Sequence, residues 1–162
     1  TAYVESHLDE IKENGSFVVN VDVAGDYFGS DRMMVIGTNE LKGYMSGISK
    51  EAGFCFEDIL NIYSSDAMPF SVYEIPSVNL ARFGGSASTK IHTINDNMSD
   101  IYDKNLEFYF NATVNILERV LYAKIWTIKK EIDSSLKAKI EKYMWGSRRI
   151  EPKLEWKPAY KK

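Results

Sequence analysis

The sequence predicts an α/β domain on a largely parallel sheet, and three observations carry that prediction. Short runs rich in Val, Ile and Phe alternate with stretches whose apolar residues recur every three to four positions. Gly and Asn-Gly breaks fall between these segments. Hydrophobic residues make up 44% and charged residues 27% of 162 residues, enough to bury a core in a chain of ordinary single-domain length. Strands alternating with helices in this way normally build crossover units.

Each element has its own signal. Thr1 is placed to cap a first helix, on which Val4, Leu8 and Ile11 form an apolar stripe and which Asn14-Gly15 ends. Residues 17–23 follow as a strand. Period two puts Val18, Asn20 and Asp22 on one face and Phe17, Val19, Val21 and Val23 on the other. Residues 32–37 form a second short strand. A helix opens at Asn39, runs to about residue 52, and stops at Gly53. Residues 59–63 read as a strand and 66–73 as one or two helical turns. Pro76 then precedes a strand over residues 77–83. Small residues 84–89 form a loop that leads to His92-Thr93-Ile94-Asn95-Asp96. A long helix spans about 105–123. Leu106, Phe110, Val114, Leu117 and Leu121 make one stripe on it, the face expected to meet the core. A last helix covers about 133–144.

Composition excludes several classes. Lys and Arg number 20 and Asp and Glu 23, and the net charge of −3 argues against a general nucleic-acid binder. No apolar run reaches the roughly 18 residues a membrane helix needs, so no membrane partner is expected. A single cysteine, Cys55, excludes a disulfide scaffold. With no C-x-x-C partner it reads as a core thiol. Charge is uneven: residues 146–162 carry six basic and two acidic side chains, a tail of +4 behind a body of −7 over residues 1–145. The tail is either a solvated end or a contact for an anionic partner. Thr1 is not an initiator methionine and no charged-then-apolar leader follows it. The chain therefore reads as soluble and cut from something longer, and its compartment, cytoplasmic or secreted, stays open.

Ligands of α/β sheets gather at the carboxyl ends of strands. Asp22, the Ser64-Ser65-Asp66 string and His92 follow three of the predicted strands. Asp22 sits in an otherwise apolar strand, where a carboxylate must be paired, hydrogen-bonded or bound to a metal. His92 is either a loop residue bonded to Asp96 or a carbonyl, or a ligand. Asp96 either orients the imidazole or caps a helix. His7 and Asp9 spell a metal string, but positions i and i+2 of a helix do not share a face. No nucleophile elbow, phosphate loop or dinucleotide fingerprint occurs. One Asp and one His are too few for a catalytic zinc, which needs about three protein ligands and a water.

Three strings in order add a resemblance. They are Asn20-Val21-Asp22-Val23-Ala24-Gly25, then Ser65-Asp66-Ala67-Met68-Pro69-Phe70 with Ile75-Pro76 behind it, then His92-Thr93-Ile94-Asn95-Asp96. Over residues 1–123 the chain resembles the carboxyl-terminal half of the M28 family of zinc aminopeptidases and carboxypeptidases. The resemblance implies a three-layer α/β/α sandwich, phosphorylase/hydrolase-like, with the N-terminal part of the domain missing. It implies two zinc ions, with Asp22 a ligand of one and His92 of the other. Asp66 would stand beside the substrate pocket. The family's general base lies upstream, and this chain has no Glu-Glu dipeptide, so no catalytic residue is expected here. Ile91 replaces the tyrosine that many members carry before the last histidine, and Ala67 replaces a histidine. Tyr63 and Arg82 are the nearby candidates to hold an oxyanion, and Tyr63, Phe70 and Phe83 the candidates to line a pocket.

The reading is a portion of a zinc-dependent exopeptidase, an aminopeptidase before a carboxypeptidase. The parent would cut N-terminal peptide bonds, and this chain alone would be inactive. The alternative is a non-catalytic binding module on a peptidase-like fold. Either way, an oligomer or the missing N-terminal half is expected to cover an exposed sheet edge.

Overall fold

A computed structural model describes residues 1–146. All but the first residue of the expected basic tail lies outside the described residues. The first expected helix is two: α1 (Ala2–Ser6) and α2 (Leu8–Asn14). They part at His7, whose backbone is no longer helical (φ −118°, ψ 24°). The Ser6 hydroxyl and the His7 ring both reach the Tyr3 carbonyl, so local side chains compete for helical backbone groups. Val4 and Ile11 are buried nonetheless, against Ile75.

Strands β1 (Val18–Asp22), β2 (Ser30–Ile36), β3 (Glu57–Leu60) and β4 (Ser77–Phe83) form one sheet in the order β1-β4-β2-β3. β1 is parallel to β4 and β2 to β3, but β2 and β4 are antiparallel. The sheet is therefore mixed rather than largely parallel as expected. The cause is the link between β1 and β2. Residues 23–29 hold no helix, and a parallel crossover needs about a dozen residues or more. The chain has to reverse there, and β4 later inserts between the two strands. α3 (Asn39–Glu51) is a true crossover to the parallel β3, capped by the Thr38 hydroxyl, which accepts from the Leu41 N–H at 3.2 Å.

Helices cover both faces. Met33, Val35, Val78 and Leu80 of the sheet pack with residues of α3 and α5 (Asp103–Leu121), including Met45, Ile48, Tyr109 and Ile116. On the other face Ile36 clusters with Met68 of α4 (Met68–Ser71) and with Leu136 and Ile140 of α6 (Ser134–Trp145). The arrangement is the α/β architecture expected. α5 is turned differently from expectation: Tyr109, Ala112, Ile116 and Val120 are buried, while Leu106, Phe110, Leu117 and Leu121 are exposed. The two stripes lie about one residue apart, so spacing alone cannot choose between them. Ala112 permits close approach to the sheet, and the Tyr109 hydroxyl finds Asp31 at 2.8 Å. Cys55 is exposed, not a core thiol. Among the described residues no helix is long and apolar enough to cross a membrane.

Candidate functional site

Asp22 is the last residue of β1, half-buried and in register with Ala81 of β4. Behind it, Val23 adopts φ +47°, a strained conformation for a β-branched residue, which turns the chain sharply off the sheet. The Tyr63 hydroxyl donates to Asp22 Oδ2 at 3.2 Å. Burial, reinforced by the Asp22 charge, pushes the Tyr63 phenol far above its ordinary value, so it stays a donor. Tyr63 also meets the edge of Phe83, with ring centres 5.5 Å apart.

Behind Asp22 the same sheet face carries a polar row. Asn79, fully buried, pairs in register with Asn20. Its amide donates to the Met34 carbonyl at 3.3 Å and to Ser77 Oγ at 3.2 Å, and it accepts from Ser65 Oγ at 2.7 Å. Asn20 Nδ2 is buried without a partner among the described residues. The segment after β3 therefore lies across this face, bringing Tyr63 to Asp22 and Ser65 to Asn79. Asp66 is exposed on the turn before α4, and Ala67 beside it is wholly buried.

Arg82 is on the opposite sheet face from Asp22, bound through Nη1 to Asp31 Oδ1 at 2.5 Å. Tyr109 donates to the same oxygen, and burial pushes its phenol far up. Phe70 packs into the cluster of Val4, Ile11 and Ile75. His92 is exposed, with φ +63°. Asp96 accepts from the His92 backbone N–H at 3.1 Å, not from the ring, and so closes the loop rather than aiming the imidazole. Ile91, next to it, is 37% exposed.

One residue not singled out in the sequence ties these loops together. Asp26 is 2% exposed, and its Oδ2 accepts from the Ser88 N–H at 3.3 Å. Asn105 of α5 donates to the Asp26 carbonyl at 2.6 Å. The loop that leaves Asp22 is thereby pinned to the loop that leads to His92. The signal available was a carboxylate right behind Gly25, but nothing in sequence links positions 26 and 88.

Among the described residues no group of three or more His, Cys, Asp or Glu side chains stands close enough to hold a metal ion. Asp22 has a second carboxylate oxygen besides the one Tyr63 holds, but one carboxylate and one imidazole do not fit a complete zinc centre.

No family model and no curated protein matches the sequence. Among solved structures the fold is similar to that of BSAP, a zinc aminopeptidase from Bacillus subtilis. The TM-score is 0.60 and the identity 20%, over 82% of this chain and 35% of that one. The described chain thus shares the α/β fold of that neighbour and spans about a third of its length.

Proposed function

We propose that this chain is the carboxyl-terminal portion of a zinc-dependent exopeptidase, an aminopeptidase, acting on N-terminal peptide bonds. The observation that supports this reading is the likeness to a zinc aminopeptidase over 82% of the chain, with Asp22 at a strand end in the grip of Tyr63. In this reading Asp22 and His92 are ligands of a two-zinc site. The other ligands and the general base come from a further part of the domain, which adds strands at the open edge of β1. A second reading, a non-catalytic binding module, is favoured by one observation. Ala67, where the resembling family often has a histidine, is a fully buried packing residue.

Zinc content and activity test both. After dialysis against buffered zinc, the isolated chain is expected to hold well under one zinc by plasma mass spectrometry and to leave leucine anilide intact. Hydrolysis by the pure chain would overturn the portion reading. In a longer protein carrying the upstream part, Asp22→Asn and His92→Gln are each expected to lower zinc content and to cut kcat/KM by about 100-fold or more. Unchanged zinc in both variants removes them as ligands. Bound zinc without chelator-sensitive peptidase activity favours the binding module.

A further inference from the structure

Asp26 is 2% exposed, yet among the described residues it is in no ion pair. The Lys90 ammonium, on the loop that Asp26 meets, is committed to Asp100 at 2.6 Å. Taking a carboxylate out of water is costly unless opposite charge and hydrogen bonds meet it. What meets this one is a single long bond: Oδ2 accepts from the Ser88 N–H at 3.3 Å. Oδ1 is buried with no partner among the described residues, and so is Ser88 Oγ. These atoms belong to two residues already joined through the Ser88 N–H, but they do not bond each other. Both therefore lack the same third body. Gly85 lets the loop main chain close over the carboxylate, because a Cβ there would fall 2.2 Å from each oxygen.

We propose that the third body is an alkali cation, sodium or potassium, held by Asp26 Oδ1 and Ser88 Oγ. Charge decides among the candidates. A water can bridge two oxygens, but it leaves the charge of the carboxylate unmet. A divalent ion brings excess positive charge to a buried site with one carboxylate, and calcium asks for about six to eight oxygens around it. One alkali cation balances one carboxylate. The serine hydroxyl offers it a lone pair while Oδ2 keeps the Ser88 N–H. Bound there, the ion fastens the loop after β1 to the loop after β4, the two connections that Asp26 already joins. The inference does not rest on the peptidase reading, since it uses neither Asp22 nor His92.

Thermal melts of the full chain in sodium, potassium, calcium and choline chloride at equal ionic strength test it. In at least one alkali salt the melting temperature is expected to exceed that in choline by about 2–4 °C once the cation passes its dissociation constant about fivefold, and to climb with the logarithm of its concentration. Asp26→Asn is expected to erase that difference. Ser88→Ala keeps the carboxylate and is expected to weaken the apparent cation affinity several-fold, which decides the matter if Asp26→Asn does not fold. Four results overturn the proposal. One is a melting temperature that is the same in alkali and choline salts. The second is an alkali-specific rise undiminished in both variants, which places the ion elsewhere. The third is a larger rise in calcium than in either alkali salt. The fourth is a carbon-13 shift of the Asp26 carboxyl at pH 7 that belongs to the neutral acid, which means that a proton takes the place of the cation.

Discussion

At Gly85 an added methyl group would overlap both carboxylate oxygens of Asp26. That carboxylate is buried, and its one described donor, the Ser88 N–H, would be lost if it moved away. Gly85→Ala is therefore expected to lower stability by about 2 kcal/mol or more in urea unfolding, where an exposed glycine such as Gly47 with open space around it tolerates alanine. Lower in the same loop, the Lys90 ammonium bonds Asp100 at 2.6 Å and holds its carboxyl below the ordinary 3.8. A carboxyl lowered on folding stabilises the fold above its unfolded value, and that contribution is lost as pH falls through the lower folded value. Lys90→Ala is expected to move the Asp100 titration back up toward 3.8, read by carbon NMR. A titration that stays put would mean that the lysine is not the cause. At this scale the sequence made Asp22 legible, because period two put it on a face with Asn20. It left Tyr63 as its partner illegible, since the two lie far apart along the chain and meet only across the folded sheet.

The element scale turns on α5 and on the short link after β1. The helix was legible in length and place, and its inward face was not, because two apolar stripes lie side by side. Ile116→Ala is expected to cost about 2–5 kcal/mol by opening a cavity under the sheet. Phe110→Ala, at protein concentrations too low for association, is expected to cost under about 0.5 kcal/mol. Equal losses in thermal or chemical melts would mean that both stripes are inside. The direction of β2 was legible in principle. A strand ending near residue 22 and another starting near residue 30 leave no space for a crossover, so the chain has to reverse. Alternation of strands and helices by itself points to a parallel sheet, and the length of this link overrides it.

Among the described residues the sheet ends at β3 on one side and at β1 on the other. β1 pairs with β4 on one side and with no described strand on the other, and Val21 in it is 43% exposed. A β-branched edge of this kind is a template for further pairing. Val21→Lys is expected to slow the growth of light scattering on warming without moving the melting midpoint by more than a degree or so. Scattering unchanged by the lysine would point to another sticky surface, of which the outer stripe of α5 is the first to test. Seen whole, the molecule has two kinds of unfilled surface, a backbone edge and a side-chain stripe. They call for different covers, backbone hydrogen-bonding groups at the strand edge and apolar side chains at the stripe.

Local chemistry along the chain settles the α/β class, the order of strands and helices and the face that carries Asn20 and Asp22. Each depends on neighbours within a few residues. The folded chain alone decides that β4 slides between β1 and β2, that Tyr63 holds Asp22, that Arg82 is committed to Asp31 on the far face, and that Asp26 locks the two site loops together. Those pairings join groups dozens of residues apart. They arise from the closing of the sheet and the burial of charges that must find partners once water is gone, and no spacing in the sequence encodes them.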